Sequence, residues 1–400
     1  MPLTPQFISV LTSTTAQKFW SEHAFMAADK LLNTATKIFG SDAGLVLQQH
    51  ALRLKAGQKF PVMAEMGWLF TPQSFEQASS AATARFKASL MQGEILVDLT
   101  AGAGIDAFFL REKFKKTMLI EANPERAALL RWNFREYPSV EVIEGDAREC
   151  IATLPAGAVV FADPDRRPDG NRVSGLPDST PDILALLPAL RQKNSTLWLK
   201  AAPMLDIRQA FLQLGSQADC WTIAVGAEMK ELLFKAEPGS TNPPVLHSVR
   251  LDAEGHVIHQ WQAAFDGKRA LPELSVPTAG MYLIEPHLAL IKSRQARSYA
   301  ANQGWQAINA QADYYLSSHR GDPAAGRWFE LLHCWPYKPK VLLKTLQNLN
   351  IRQANVAKRE FFMEVAAIRK TLKLSDGGDT YLFFTKNNNG EPLVLHGRRC

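Results

Sequence analysis

Residues 95–104, Ile-Leu-Val-Asp-Leu-Thr-Ala-Gly-Ala-Gly, constrain the fold more than any other stretch of this 400-residue chain. An apolar run ends in Asp98, and a Gly-x-Gly turn, Gly102 and Gly104, follows it. Such a run reads as a buried parallel strand. The glycines let backbone amides approach a ligand at the start of a helix. Together they suit a nucleotide-like cofactor held beyond the carboxyl end of a strand.

The pattern around this turn repeats. From about residue 95 to 249 short apolar runs alternate with helical stretches, and strands are predicted at 95–98, 117–121, 140–144, 159–162, 197–200 and 221–225. Alternation of this kind predicts a parallel sheet with helices on both faces. A Pro/Gly cluster at 237–244 suits the loop of a closing hairpin, with antiparallel strands at 231–235 and 246–251 on the sheet edge. Residues 1–90 read as helical, including a helix over 76–90 rich in Ala, Ser and Gln. From about Asp252 mixed strands and helices follow, which gives three regions: 1–90 helical, 91–251 α/β, and 252–400 α+β.

Composition bounds the class. Four hundred residues exceed what one core usually serves. With 46% hydrophobic and 21% charged residues, the chain reads as a soluble protein. No run approaches the roughly 18 apolar residues of a membrane span, and no signal-peptide core opens the chain, so no membrane partner is expected. Cys150, Cys220, Cys334 and Cys400 form no Cys-x-x-Cys pair, which favours reduced cytoplasmic thiols over disulfides or zinc. His333 beside Cys334 reads as a packed pair, and no metal is expected. The net charge of +6 is uneven: residues 335–400 hold 12 Lys or Arg against 5 Asp or Glu. A terminal basic segment fits a nucleic-acid footprint or a solvated face.

Further motifs follow the glycine turn. Gly102 and Gly104 with Ala107 also satisfy a loose Gly-x-Gly-x-x-Ala pattern, so the turn by itself leaves a dinucleotide fold open. Glu121, ending the next strand, suits acceptance of hydrogen bonds from ribose hydroxyls with either cofactor, or a helix cap. Gly145-Asp146-Ala147 follows the third strand, where a carboxylate suits an adenine amino group. Phe161-Ala-Asp-Pro-Asp-Arg-Arg-Pro168 follows the fourth.

The ordered set Val97-Asp-Leu-Thr-Ala-Gly-Ala-Gly104, Ile120-Glu-Ala-Asn123, Gly145-Asp-Ala147 and Ala162-Asp-Pro-Asp-Arg-Arg167 resembles the motifs of class I S-adenosylmethionine-dependent methyltransferases. Gln77-Ala-Ser-Ser-Ala-Ala-Thr-Ala-Arg-Phe-Lys-Ala88 upstream and Asp376-Gly-Gly-Asp-Thr-Tyr-Leu-Phe-Phe384 downstream resemble a bacterial family that joins this core to a C-terminal THUMP-like domain, here about 335–400. The resemblance spans most of the chain. It implies an α/β, Rossmann-like class I core between a helical N-terminal region and an α+β C-terminal domain. It implies S-adenosylmethionine as cofactor, contacted by Asp98, Thr100, Gly102, Gly104, Asp106, Glu121, Ala122, Asp146, Ala147 and Asp163. THUMP domains are associated with RNA modification, so RNA is the implied partner.

The fourth-strand motif bears on the reaction. Asp163-Pro164 matches the first half of the Asp-Pro-Pro-aromatic turn of amino-group methyltransferases, whereas Asp165 and Arg166 depart from its second half. The turn is closer to the Asp-Pro-Pro-Arg version of RNA uridine C5-methyltransferases. Those enzymes attack with a cysteine after the next strand, but this chain reads Lys200-Ala-Ala-Pro203 there, which argues against a covalent route. Direct transfer remains, with Asp163 and Pro164 at the acceptor. Arg166 and Arg167 suit a substrate phosphate, or ion pairs with Asp165 or Asp169. Ser79, Ser80 or Thr83 offers a hydroxyl to the methionine carboxylate. Arg352, Lys358 and Arg359, near Arg369, Lys370, Phe361 and Phe362, suit an RNA backbone and bases, although phenylalanines are more often core. Rival readings are a methyltransferase of a small molecule or protein, a cofactor-bound RNA-binding protein without transfer activity, and a dehydrogenase.

Overall fold

The structure, a computed structural model, describes residues 5–166, 176, 179–215, 217–265 and 270–400. Two compact units are present: Met1–Trp221 with Lys230–Pro244 and Leu251–Val257, and Thr222–Met229 with Val245–Arg250 and Ile258–Cys400. No helix among the described residues is long and apolar enough to cross a membrane.

The first unit opens with short helices, as the composition of residues 1–90 predicts. Leu11, Phe19, Trp20, Val46 and Leu69 pack against Leu129 of the helix Pro124–Asn133. Polar side chains then pin the connecting segment. Phe70 donates its N–H to Gln49 Oε1 at 3.2 Å, and Leu69 donates to Asn133 Oδ1 at 2.9 Å. Trp68, Phe70 and Phe75 join Ile105, Phe108 and Phe134, so this layer buttresses the helix after the glycine turn.

The expected helix over 76–90 is instead two, Pro72–Gln77 and Ala81–Leu90. Ser80 Oγ accepts the Thr83 N–H at 3.2 Å, so a serine read as interior caps the second helix. Ser79 is thereby set in the break between them.

The sheet strands are β1 (Gly93–Asp98), β2 (Phe114–Glu121), β3 (Val140–Glu144), β4 (Val159–Ala162), the short β5 (Asp165–Arg166) and β6 (Ser179–Thr180), β7 (Thr196–Ala201), β8 (Asp219–Val225), β9 (Glu228–Ala236), β10 (Val245–Leu251) and β11 (Val257–Ala264). Nine of them form one sheet in the order β11-β10-β8-β9-β7-β4-β1-β2-β3, while β5 and β6 pair separately. The central strands β7, β4, β1, β2 and β3 run parallel, and β9 is antiparallel to β7. The expected edge hairpin is corrected here. Its first strand, β9, lies between β7 and β8 rather than beside β10. Leu232, Leu233 and Phe234 are fully buried, and a run with no wet face belongs inside a sheet.

In the second unit β12 (Tyr282–Pro286), β13 (Gln306–Ala307), β14 (Tyr315–Ser317), β15 (Gly326–Pro336), β16 (Asn355–Lys358), β17 (Thr380–Lys386) and β18 (Pro392–Arg399) form a sheet in the order β13-β14-β12-β15-β18-β17-β16. Alternation along β17 sends Leu382 and Phe384 to one face and Phe383 to the other. Helices Pro339–Asn348 and Val365–Leu372 cover the first face through Leu342, Leu346, Ile368 and Leu372. Phe361 joins that core, whereas Phe362 is exposed.

Candidate active site

The site begins where the parallel strands end. Asp98 of β1 lies opposite Leu119 of β2 and Phe161 of β4. The turn after β1 is then tied to both neighbours: Leu99 donates to the Phe161 carbonyl at 2.9 Å and Ala101 to that of Ile120 at 3.1 Å. Gly104 adopts φ +80°, and a Cβ there would come within 2.7 Å of the Phe134 ring and 2.9 Å of Leu130. Only glycine meets both demands. Thr100 Oγ1 accepts the Asp163 N–H at 2.6 Å, which joins the turn to the segment after β4.

A cleft of about 310 Å³ opens above these strand ends. Its lining brings together the expected Ser79, Asp98, Thr100, Gly102, Gly104, Asp106, Glu121, Ala122, Asp146, Ala147 and Asp163, and adds Asp165 and Asp182. Glu121 is buried and aimed: Oε2 accepts the Gly102 N–H at 3.0 Å, while Oε1 accepts from Asn123 N at 2.8 Å and Arg126 Nε at 3.1 Å. Asp146 caps its short helix and is gripped by Arg148, with Nε at 3.0 Å from Oδ1 and Nη2 at 2.6 Å from Oδ2. These hydrogen bonds hold its carboxyl below the usual range. Burial pushes the Asp98 carboxyl up to about 8, with Asp106, Asp163 and Glu121 adding their charges against the Thr100 amide.

Acids therefore dominate the cleft. Asp98, Asp106, Glu121, Asp146, Asp163, Asp165 and Asp182 border it, and the two arginines among its described lining residues, Arg126 and Arg148, are already paired with Glu121 and Asp146.

Behind the cleft lies a chain of alternating charges drawn from several separate stretches of the sequence. Lys87 is fully buried and sits 2.8 Å from both Asp106 Oδ1 and Glu231 Oε1. Ser79 Oγ donates to Asp106 Oδ2 at 2.6 Å and accepts from Lys87 at 3.3 Å and Lys200 at 2.9 Å. The Lys200 ammonium also donates to Asp163 Oδ2. Burial raises the Asp106 carboxyl, but Lys87 and Lys200 more than offset it, so it titrates below its usual value. Burial likewise lowers Lys200, yet Asp163, Glu231 and Asp106 hold it above the ordinary lysine range. Ser79, expected to offer its hydroxyl to a methionine carboxylate, is committed to this chain.

The remaining expected residues fall as follows. Pro164 is half-buried after β4, and Arg166 is in β5, paired through its backbone with Ser179. The Arg166 side chain, and Arg167 and Asp169 altogether, lie outside the described residues. In the second unit Arg352 is exposed, while Lys358 pairs with Glu364. Arg359 is an internal counter-ion rather than a free phosphate contact: Nη2 is 3.1 Å from Glu285 Oε1 and the guanidinium lies over the Tyr314 ring at 5.1 Å. His287 bonds His259 at 2.8 Å, a buried pair.

Residues 326–399 match the THUMP domain-like family. Over 342 residues the chain is 26% identical to an uncharacterized S-adenosylmethionine-dependent methyltransferase of Mycobacterium tuberculosis, known from strains CDC 1551 and H37Rv, covering 84% of this chain and 90% of the relative. A crystal structure from Porphyromonas gingivalis W83, described as that of a methyltransferase, matches the whole of both chains with a TM-score of 0.85 at 25% identity. Strand order and motif order are those of a Rossmann-like class I methyltransferase core, and the chain is similar as a whole to S-adenosylmethionine-dependent methyltransferases and over residues 326–399 to the THUMP domain-like family.

Proposed function

We propose that the protein methylates structured RNA, tRNA or rRNA, at a base nitrogen by direct transfer from S-adenosylmethionine. The observation that carries the cofactor half is the acid-lined cleft at the strand ends. Among the described lining residues a dinucleotide would bring a pyrophosphate among carboxylates, with Arg126 and Arg148 already paired, whereas a sulfonium and an ammonium suit that field. When bound, S-adenosylmethionine supplies an electrophilic methyl group on sulfur.

The chain's own residues bind and orient. Glu121 accepts hydrogen bonds at the ribose position, with Gly102 already on one oxygen. Asp146 faces the adenine position, and Gly102 and Gly104 shape the turn. Asp163 presents its carboxylate, and Pro164 its carbonyl, to the acceptor. Neither cysteine of the first unit is placed for covalent attack: Cys220 is fully buried in β8, and burial pushes the half-buried Cys150 thiol up.

The RNA half rests on the THUMP-like match and on unpaired surface charge. Lys338, Lys340, Lys344, Arg352, Lys370 and Lys373 are exposed and make no ion pair among the described residues. Such cations attract phosphates without reading sequence.

The test is incubation with methyl-labelled S-adenosylmethionine and RNA from cells lacking this protein, beside Asp163→Ala. Label in RNA that falls about 100-fold or more in the variant is expected. Label appearing in protein or small molecules instead would replace RNA as the acceptor.

A further inference from the structure

β4 and β7 run parallel with Ala162 opposite Leu199, so Asp163, just past the end of β4, stands beside Lys200, which is still in β7. Their side chains meet there, with the Lys200 ammonium on Oδ2 of Asp163. Asp163 borders the cleft and is 35% exposed, whereas Lys200 stands behind it at 14%. Among the described residues no other side chain bonds the Asp163 carboxylate. One oxygen is thus fixed from behind and the other is left toward the cleft.

A hydrophobic residue of the same length would fill Lys200's place without burying an ammonium. The arrangement is retained with three carboxylates around it, Asp163, Glu231 and Asp106, and with Ser79 completing its donors. Ser79, Asp106 and Asp163 all border the cleft. Among the described residues Lys200 is the side chain that bonds both Ser79 and Asp163.

We propose that Lys200 is a positioning residue for the acceptor: it holds one oxygen of Asp163 so that the other accepts a hydrogen bond from the target nitrogen. This rests on the methyl-transfer reading given above. Lys200 touches neither the acceptor nor the reacting carbon and acts through Asp163. Its loss frees the Asp163 carboxylate to rotate, and misplacement of this kind acts on turnover more than on cofactor binding.

The test compares Lys200→Met, Lys200→Arg, Asp163→Asn and the Lys200→Met/Asp163→Asn double variant in the full chain. S-adenosylmethionine affinity is read by calorimetry, and kcat and KM by methyl label in RNA from cells lacking the protein. For Lys200→Met, cofactor affinity within about threefold of wild type and a kcat lower by about 100-fold are expected. Lys200→Arg regains at least about tenfold of that, because a guanidinium donates to the same oxygen. The double variant is no slower than Asp163→Asn alone, since the two act as one unit. Lys200→Gln, with a shorter donor, replaces the methionine variant if that does not fold, with the same expectation. Unchanged kcat, a cofactor affinity that falls in step with kcat, or additive losses would each overturn this role. Wild-type protein that binds no cofactor or labels no RNA would instead overturn the function proposed above, and this role with it.

Discussion

Lys87 and Lys344 are both helical lysines, yet their surroundings are opposite. Lys87, in the first unit, is fully buried between Asp106 and Glu231. Lys344, in the second, is exposed and has no ion pair among the described residues. The contrast extends to their neighbours. Around the cleft, cations alternate with carboxylates in fixed geometry, as Lys200 and Arg126 also show. On the helix Pro339–Asn348 and beyond, Lys340, Arg352, Lys370 and Lys373 are left to solvent. A buried, paired charge orients chemistry; an unpaired surface charge supplies attraction without geometry.

Removing each kind of lysine is the harshest test of that contrast. Lys87→Met takes away the cation that touches both Asp106 and Glu231 and leaves only the more distant charge of Lys200 to offset them, and a loss of about 3–5 kcal/mol in unfolding free energy is expected from denaturant titration. Lys344→Met is expected to stay within about 0.5 kcal/mol of wild type. Equal losses would erase the distinction.

Gly104→Ala probes the turn that the buried charges support. Its Cβ would strike Phe134 and Leu130 from a positive-φ backbone, so a loss of about 1–3 kcal/mol together with weakened cofactor binding is expected from thermal unfolding and calorimetry.

The pH dependence sharpens the comparison on the cleft side. Burial places the Asp98 carboxyl near 8, so below that pH the free cleft holds it protonated. A cationic ligand favours the ionised form, and binding must then expel a proton. Affinity for S-adenosylmethionine is therefore expected to rise with pH, about tenfold per unit, and to level off above about 8. Calorimetry in buffers of different ionisation enthalpy counts that proton, and a flat profile would remove Asp98 from the cofactor contacts.

The smallest effect belongs to the exposed cations. Lys340→Ala with Lys344→Ala should leave stability and cofactor affinity unchanged. The salt dependence of RNA binding is expected to lessen by about 1 in log–log slope for each phosphate no longer neutralised, read by filter binding across a salt series. An unchanged slope would move the RNA footprint elsewhere.

The strands β1, β2, β3, β4, β7 and β8 were legible because they are short apolar runs ended by turn residues, and the observed strands extend each prediction by three residues or fewer. The place of β9 was not, since sequence nearness favoured a hairpin with β10 while burial of Leu232–Phe234 put it inside the sheet. Position in a sheet is a tertiary property that a local pattern does not carry. That Asp98, Glu121, Asp146 and Asp163 line the cleft was legible because each ends a strand or follows one within two residues. Lys200 also ends its predicted strand, and placing Ala162 beside Leu199 would have set it against Asp163. Lys87 and Glu231 carried a different signal, single charges in Ala-rich and Leu-rich runs, which has meaning only once both are seen to be buried. Arg359 misled for the converse reason: its partner Glu285 lies 74 residues away in sequence.

Everything proposed for the first unit depends on the acid-lined cleft holding S-adenosylmethionine. Calorimetric titration of the full chain with S-adenosylmethionine and, separately, with NAD tests it most directly, beside Glu121→Ala. One S-adenosylmethionine per chain is expected, bound at least about tenfold more weakly by the variant, with no heat from NAD. Preference for NAD, or S-adenosylmethionine binding indifferent to Glu121, would contradict the account.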